Sequence, residues 1–291
     1  MQPLSDKIAL ITGASSGIGK GITEAFAAAG ASLVLTARRA ERLTQLADSL
    51  RSVGQPTGIE VLTIPADVTD EAQVQAVFQQ IRERFGRLDI LVNNAGVFDG
   101  GPLDELTLET WEKVLAVNLR GPFLCTREAL RIMKPQRSGR IINIGSISAQ
   151  RVRPNSAPYS TSKFGLSGLT QVTALEGRAF GITCGCIHPG NTEVETLAGA
   201  QRRSQEPVMQ IEDWAQVAVT MAALPPADFV VDAAANPSVL AGVDGKTSSK
   251  ELVDHNLTGT IHILEYCKTH KAGFILLSTS RVYSIPALAR L

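Results

Sequence analysis

Three residues that together could remove a proton from an alcohol lie close together near the middle of the chain. Ser146 precedes Tyr159 by 13 residues, and Lys163 follows that tyrosine by four. Residues four apart share one face of a helix, and Pro158 suits a first helical turn. Alcohol oxidation removes the hydroxyl proton as a hydride leaves the neighbouring carbon, and a tyrosine serves best once its pKa falls from about 10 to about 7–8. A lysine about 4–5 Å away offsets roughly the 3–4 kcal/mol that this shift costs, and the serine orients the reacting oxygen.

A glycine-rich segment, Thr12–Gly19, lies between a strand pattern and a helix pattern. Its small residues let the backbone approach a pyrophosphate, and the start of a helix favours anions. An ordinary tight turn has a similar composition, but the position between strand and helix favours a dinucleotide site. The segment does not end in Gly-Lys-Ser/Thr, which excludes the phosphate loop of nucleotide triphosphatases.

The end of the second strand pattern indicates which dinucleotide binds. Arg38 and Arg39 stand where a protein that binds unphosphorylated NAD favours an acid. Arginines suit a ribose 2′-phosphate through bidentate hydrogen bonds, although a solvated basic helix start is the alternative. We therefore predict that NADP(H) is preferred over NAD(H), with Asp67 and Val68 placed to meet the adenine.

Short apolar runs alternate with helical patterns over the first 226 residues. The predicted strands are Lys7–Ile11, Ala31–Thr36, Glu60–Ile64, Leu88–Val92, Arg140–Ile144 and Ile182–Ile187. The predicted helices span 18–29, 40–52, 70–85, 109–133, 157–180 and 211–223. This alternation predicts an α/β fold with a doubly wound parallel sheet of the Rossmann type.

The chain changes character after Leu224-Pro225-Pro226, where consecutive prolines end the last helix. Beyond it, Asp228–Ala233 and Phe274–Leu277 are strand patterns and 249–270 is a helical one. Leu88–Ala95 matches Ala227–Ala234 at an offset of 139 residues, which favours an appended partial β-α-β repeat over coincidence. We predict an NADP-binding catalytic domain over 1–226 and an appended fragment over 227–291. As a hypothesis, Asp228–Ala233 occupies the sheet edge beside the sixth strand.

Composition limits the partners and the compartment. In 291 residues, 28 Lys and Arg balance 28 Asp and Glu, which gives no electrostatic footprint for nucleic acid or an anionic membrane. We expect neither a bilayer span nor a signal peptide, because no long apolar run and no basic leader pattern occur. The four cysteines form no Cys-x-x-Cys pair, so we expect buried thiols in the cytoplasm and no metal site.

Taken together, these motifs resemble the short-chain dehydrogenase/reductase family in its compact single-domain branch. Asn93-Asn94-Ala95-Gly96 after the fourth strand, Asn118 in the next helix and the turn Pro189-Gly190 complete the resemblance over 1–226. The resemblance implies that Tyr159 is the general acid/base, that Lys163 lowers its pKa and holds the nicotinamide ribose, that Ser146 positions the substrate and that Asn118 supports a proton relay. The expected cofactor contacts are Gly13, Ser15, Ser16, Ile18, Gly19, Arg38, Arg39, Asp67, Val68, Asn94, Ala95, Gly96, Tyr159, Lys163, Pro189, Gly190 and Thr192. Thr192 is displaced from the family's Pro-Gly-x-Val-x-Thr spacing.

The tail resembles a different branch of the same family. Asp232–Asp244, His255-Asn256-Leu257 and Leu277–Ser284 are similar to part of an extended-branch nucleotide-sugar epimerase, most like a CDP-sugar 2-epimerase. The fragment has no glycine loop, and Tyr283 is followed four residues later by Ala287 rather than by lysine. A fusion or frameshift product, a docked pseudo-repeat and an artefact of sequence assembly all stay open.

The resemblance implies an NAD(P)-dependent oxidoreductase that interconverts a secondary alcohol and a ketone, with a small-molecule alcohol or carbonyl compound as its partner. A catalytically silent NADP-binding module and a nucleotide-sugar-modifying enzyme are the alternatives. Helices 109–133 and 157–180 resemble those that pair subunits in the family, so we expect a homo-oligomer.

Overall fold

A computed structural model of the chain describes residues 2–52, 58–192 and 209–224 with their side chains, and the backbone of two further strands, 229–232 and 273–276. The chain divides into two compact units. The first comprises Met1–Ser204 with Val208–Pro226, and the second comprises Gln205–Pro207 with Ala227–Leu291.

A six-stranded parallel sheet forms the centre of the first unit. Its strands are β1 (Ile8–Thr12), β2 (Ser32–Thr36), β3 (Val61–Thr63), β4 (Ile90–Asn93), β5 (Gly139–Ile144) and β6 (Ile182–Ile187). Their order across the sheet is β3-β2-β1-β4-β5-β6, and each neighbouring pair is parallel. The winding direction reverses between β1 and β4, which is where open α/β sheets place their ligands.

Helices cover both faces of this sheet. They are α1 (Gly17–Ala28), α2 (Ala40–Ser52), α3 (Glu71–Phe85), α4 (Leu108–Leu115), α5 (Gly121–Gln136), α6 (Ala157–Gly177) and α7 (Ile211–Ala223). Phe26 of α1 and Trp214 of α7 belong to one buried cluster, whereas Phe78 of α3 and Met133 of α5 belong to the other. Successive residues of β1 alternate between the two clusters, which explains why the strands are continuously apolar.

The predicted doubly wound sheet is confirmed, but one predicted helix is wrong in detail. Residues 109–133 are not one regular helix, because a π-helical turn, Ala116–Arg120, separates α4 from α5. Pro122 has no amide hydrogen to donate to the carbonyl four residues earlier, that of Asn118. Gly121 N–H instead donates to the Ala116 carbonyl, five residues back. This wider turn contains Asn118, and such turns are frequent at functional sites.

Two strands of the second unit are described. β7 (Phe229–Asp232) pairs in parallel with β8 (Gly273–Leu276). The hypothesis that Asp228–Ala233 extends the main sheet beside β6 is therefore wrong, because this segment has its own parallel partner in a separate two-stranded sheet. The predicted helix at 249–270 lies outside the described residues.

Within the described ranges, none of the helices combines the length and the apolar composition that crossing a bilayer requires.

Candidate active site

Hydrogen bonds join the glycine loop to the end of β4, at the position where the winding direction of the sheet reverses. The Thr12 hydroxyl accepts from the amides of Asn94 and Ala95, each at 3.0 Å. The Asn94 side-chain amide donates back to the carbonyls of Thr12 at 2.9 Å and Gly13 at 3.2 Å. Gly13 has φ +65°, and a side chain there would begin 2.8 Å from the Ala95 Cα. Only glycine tolerates both the backbone conformation and this close approach.

A cavity of about 600 Å³ begins at this loop and ends at Tyr159. Most of the predicted site residues line it. They are Gly13, Ser15, Ser16, Ile18, Arg38, Arg39, Asp67, Val68, Asn94, Ala95, Gly96, Ser146, Tyr159, Lys163, Pro189, Gly190 and Thr192.

Two predicted residues do not line the cavity. Gly19 is buried in the first turn of α1, where a side chain would collide with the Gly13 carbonyl and the Asn94 amide. The absence of a side chain at Gly19 lets α1 pack against the glycine loop. Asn118 is also buried, behind the cavity wall.

The Asn118 side chain holds the segment that follows β4. Its Oδ1 accepts from Val97 N–H at 2.8 Å, and its Nδ2 donates to the Val97 carbonyl at 2.9 Å. The same Nδ2 lies 3.2 Å from the Ser162 hydroxyl on α6. Asn118 thus links the wall at Val97 to the helix that presents Tyr159 and Lys163.

The nucleotide end of the cavity has arginines at its rim. The Arg39 guanidinium donates to the hydroxyls of Ser15 at 3.1 Å and Ser16 at 2.9 Å. Arg38 lines the same part of the cavity, and both arginine side chains are exposed. This places hydroxyl and guanidinium donors beside the start of α1, whose own amide groups favour an anion.

The other end holds the serine, the tyrosine and the lysine. Ser146 follows β5 and accepts from Ser148 N–H at 3.1 Å. Tyr159 and Lys163 lie one turn apart on α6, with the Lys163 Nζ 5.6 Å from the centre of the tyrosine ring. Lys163 Nζ donates to the carbonyl of Ile144 at 2.8 Å. The structure therefore brings the three predicted side chains together in one buried corner.

Two effects act on the pKa of Tyr159. Burial raises it above its ordinary value near 10, and a hydrogen bond with the Ser146 hydroxyl lowers it by less. Burial also lowers the pKa of Lys163 from 10.5 to about 8. The resemblance assigns the lowering of the tyrosine pKa to Lys163, and that role stays a prediction. The Lys163 Nζ hydrogen-bonds the Ile144 carbonyl and lies over the tyrosine ring.

Thr192, a predicted cofactor contact, is hydrogen-bonded within the protein. Its hydroxyl donates to the Gly190 carbonyl at 3.2 Å and accepts from the Trp214 indole N–H at 2.9 Å. Met209 N–H donates to the Asn191 carbonyl at 2.9 Å. Trp214 therefore ties Thr192 to α7, and Thr192 faces the cavity in a fixed orientation.

Several residues that shape the cavity have no sequence motif. Val97 and Phe98 form an apolar wall, and the Phe98 ring meets the Tyr159 ring edge-on at 5.0 Å between centroids. Arg153 and Asn191 also line the cavity. No motif indicates that the Thr12 hydroxyl binds the amides of Asn94 and Ala95. The one sequence signal for Thr12 is its position at the end of a strand, within the glycine segment.

The donor set fits a dinucleotide. The Pro189-Gly190 turn leaves its backbone open, because no atom lies within 4 Å of a side chain built at Gly190. Amides and hydroxyls suit phosphates at the glycine loop, and the buried phenol and ammonium suit proton transfer beside a ribose and nicotinamide. The described residues contain no group of three or more His, Cys, Asp or Glu arranged to hold a metal ion.

Comparison with known proteins gives two family matches. The model described as short chain dehydrogenase matches residues 7–206. The model described as the NAD dependent epimerase/dehydratase family matches residues 191–288, in agreement with the predicted resemblance of the tail.

Individual relatives match the larger segment. The chain is 40% identical over 191 residues to the oxidoreductase YxjF of Bacillus subtilis, covering 66% of this chain and 73% of that protein. It is 39% identical over 188 residues to the levodione reductase of Leifsonia aquatica, covering 64% and 69% of the two chains. A crystal structure of levodione reductase superposes with a TM-score of 0.71 at 32% identity, covering 75% of this chain and 91% of that one.

Proposed function

Because this chain belongs to the short-chain dehydrogenase/reductase family, we propose that Tyr159 transfers the proton in its reaction and that Ser146, Lys163 and Asn118 support that tyrosine. The chain is an NAD(P)(H)-dependent oxidoreductase that interconverts alcohols and ketones. One arrangement carries the assignment of roles. A buried serine, a buried lysine and a half-buried tyrosine line the same cavity as the glycine loop and Arg39.

Each side chain has a defined task in this proposal. In alcohol oxidation the deprotonated Tyr159 oxygen, a phenolate, takes the substrate proton and becomes the phenol; in ketone reduction the phenol donates that proton and becomes the phenolate. Ser146 donates a hydrogen bond to the reacting oxygen and so holds it beside the phenol. The cofactor supplies the hydride acceptor or donor when bound, held by the glycine loop, the segment Asn94–Gly96 and the turn Pro189-Gly190.

Lys163 supplies positive charge to this corner. With a pKa of about 8, its amine is mainly protonated near neutral pH. The Ile144 carbonyl fixes the ammonium group on the tyrosine side of α6. Asn118 has a structural role, because its hydrogen bonds to Val97 and Ser162 hold the cavity wall against α6.

For the cofactor, we propose that NADP(H) is preferred over NAD(H). Arg39, held by Ser15 and Ser16, and its neighbour Arg38 form a cationic rim at the nucleotide end. A 2′-phosphate accepts bidentate, charge-assisted bonds from such guanidinium groups, whereas a 2′-hydroxyl gains much less.

We also propose that the protein is a homo-oligomer that pairs through α5 and α6. Phe123 on α5 and Phe164, Val172 and Leu175 on α6 are exposed large apolar side chains. Such side chains grouped on helices mark an association surface. The partner is a second copy of the chain, and the other ligand is a small alcohol or carbonyl compound.

The domain roles and the compartment complete the proposal. Residues 1–226 carry the catalytic function, and 227–291 are an appended fragment of the epimerase/dehydratase type. We place the enzyme in the cytoplasm, because Cys125, Cys184 and Cys186 are free thiols. Burial raises the pKa of Cys125 and Cys184 to about 12 and that of Cys186 to about 11, which suits a reducing compartment without demanding a reactive thiol.

The test is a panel of secondary alcohols and ketones offered to the full-length chain with NADPH and NADH in parallel. We expect the absorbance of the reduced cofactor to change with a subset of the panel, and faster with NADP(H). Binding of NADPH, seen by its fluorescence, without turnover of any compound would support the silent module instead.

A further inference from the structure

One titratable side chain beside the catalytic corner has no part in the proposed function. His188 follows β6 directly and precedes the turn Pro189-Gly190. It does not line the cavity, but its Nδ1 lies 3.0 Å from the backbone carbonyl of Ser146. A carbonyl oxygen only accepts hydrogen bonds, so the imidazole carries a hydrogen on Nδ1 and donates it to this carbonyl.

The imidazole is a neutral donor near neutral pH. Burial lowers the pKa of His188 below the ordinary value of 6.5, the bond to the Ser146 carbonyl acts against this, and the charge of Lys163 lowers the pKa further. A neutral imidazole has a single N–H, and the Ser146 carbonyl determines that this hydrogen is on Nδ1. The ring therefore contributes one directed hydrogen bond.

Backbone hydrogen bonds hold the residues on either side of Ser146 against the segment that follows β6. Gly145 N–H donates to the Ile187 carbonyl at 2.7 Å. Ile147 N–H donates to the Pro189 carbonyl at 2.9 Å. The bond from His188 lies between these two, and it is the one that a side chain supplies.

The Ser146 carbonyl accepts from two donors. One is Ala149 N–H at 2.9 Å, a bond that belongs to the 3-10 turn after β5. The other is His188. Gly145 provides the space for the ring, because a side chain there would begin 2.7 Å from both His188 Nδ1 and Cys186 Sγ. The imidazole therefore connects the start of the 3-10 turn to the end of β6.

This turn also sets the direction of the Ser146 hydroxyl. Its oxygen accepts from Ser148 N–H at 3.1 Å, within the same turn, and the hydroxyl hydrogen-bonds the Tyr159 side chain. A hydroxyl has one hydrogen to donate, so its usefulness to the reaction depends on the orientation of the turn. A rotation of the turn would move the hydroxyl away from the phenol, and the bond from His188 resists that rotation.

We propose that His188 is a positioning residue for the reaction, because its hydrogen bond to the Ser146 carbonyl holds the Ser146 hydroxyl beside Tyr159 and the reacting oxygen. The proposal deepens the proposed function and rests on it. A displacement of a reacting group by about 1 Å costs about 10²-fold in rate. A shift of about half that size therefore costs about tenfold.

The first experiment is a double-mutant cycle with Ser146 on the full-length chain. His188→Leu keeps a branched side chain and removes the N–H donor. We expect it to lower kcat by about tenfold and to change the dissociation constant for NADPH by less than about twofold. In the Ser146→Ala background the same change should lower kcat by less than about twofold, because the hydroxyl that it positions is absent. Equal losses in the two backgrounds would overturn the inference.

Two amide variants separate the donor from the bulk of the ring. Asparagine places an N–H at the δ position, where Nδ1 donates, whereas glutamine places it one bond further along the side chain. His188→Asn should keep kcat within about threefold of the parent value, and His188→Gln should lose activity as His188→Leu does. An asparagine variant that loses as much kcat as the glutamine variant would contradict the role of the donor. This pair decides the question even if the leucine variant does not fold.

Cys184→Ala is the matched control for a general loosening of β6. Cys184 lies on the same strand, and its thiol accepts from Asn143 Nδ2 at 3.7 Å. Its replacement should leave kcat unchanged in both backgrounds. A loss of kcat in this control as large as that in His188→Leu would assign the effect to the strand and refute the specific role of His188.

A measurement without substrate separates this inference from the proposed function. Burial raises the pKa of Tyr159, and the bond with the Ser146 hydroxyl lowers it by less. The chain has three tyrosines, so fluorine NMR of fluorotyrosine-labelled protein follows each phenol, and Tyr159→Phe assigns the signal. The Tyr159 titration should move to higher pH in His188→Leu and in Ser146→Ala, and no further in the double variant. Lys163 and Cys186 are present in every variant compared.

The two kinds of failure then differ. If no alcohol or ketone is turned over, the proposed function fails, and the titration still decides whether His188 positions the Ser146 hydroxyl. An unchanged pKa for Tyr159 in His188→Leu, beside a raised pKa in Ser146→Ala, would refute the role of His188 and leave the proposed function intact.

Discussion

Replacing Lys163 by methionine should stabilise the fold near neutral pH, and by an amount that depends on pH. The lysine is buried, and its pKa falls from 10.5 when unfolded to about 8 when folded. A shift of this size means that holding the ammonium in the fold costs about 3 kcal/mol at neutral pH. Methionine has a similar shape and carries no charge, so it removes that cost.

The sign of the pH dependence follows from the lowered pKa. The penalty is fully present below about pH 8 and fades as the pH rises towards 10.5, where the unfolded lysine also loses its proton. The stability difference between Lys163→Met and the parent should therefore shrink by about 2 kcal/mol between about pH 7 and about pH 10. Cys186, whose pKa is about 11, and His188, whose pKa burial lowers, face the same corner, and they are present in both proteins.

Urea unfolding at several pH values measures this difference directly. Lys20→Met is the control, because Lys20 is an exposed lysine that pairs with Glu24 on the surface of α1. Its effect on stability should be small and nearly independent of pH. A difference for Lys163→Met that stays constant between neutral and alkaline pH would refute the argument that this ammonium is held at a cost.

Three further results are expected. Arg39→Gln should lower the ratio of kcat/KM for NADPH over NADH by about tenfold or more, since it removes the guanidinium that we propose to pair with the 2′-phosphate. An unchanged ratio in initial-rate assays would contradict the proposed cofactor preference. Phe164→Glu should shift the mass measured by light scattering to that of a smaller species, because it puts a charge on the apolar surface of α6, and an unchanged mass would place the contact elsewhere. Trp214→Phe should destabilise the fold by about 1–2 kcal/mol, because it removes the hydrogen bond to Thr192. It should also raise the dissociation constant for NADPH several-fold in a fluorescence titration. Unaltered NADPH binding would show that Thr192 does not need this hydrogen bond.

The parts of the site that follow from local periodicity could be predicted from the sequence. Tyr159 and Lys163 share a helix face because they are four residues apart, and the glycine loop follows a strand and opens a helix. Parallel strands end at one edge of the sheet, so Ser146 and the loop after β4 had to meet the same cavity.

The remaining features depend on contacts between distant segments. The π-helical turn at Asn118 is followed by Pro122 in the first turn of α5, and a proline at that position is too ordinary to predict the turn. The bond from Trp214 to Thr192 joins residues 22 apart, and no spacing rule predicts it. In the first turn of α1, Gly19 lies against Gly13 and the Asn94 side chain, and the spacing of the glycines alone does not give this contact.

The pairing of strands in the tail also could not be predicted from the sequence. The segment Asp228–Ala233 has a strand pattern, but the sequence does not reveal which strand it pairs with. It pairs with Gly273–Leu276 rather than with β6. The match between earlier and later strand patterns indicated a repeat, but a pairing of strands is a property of the folded chain.

The kinetics of Tyr159→Phe test the central claim most directly. This change removes one oxygen atom and leaves the ring that packs against Phe98. We predict that kcat falls by about 10²–10⁴-fold, the range that a general acid/base contributes, while the dissociation constant for NADPH changes less than about twofold. A variant that keeps most of the parent's kcat would contradict the claim that the proton moves through this phenol.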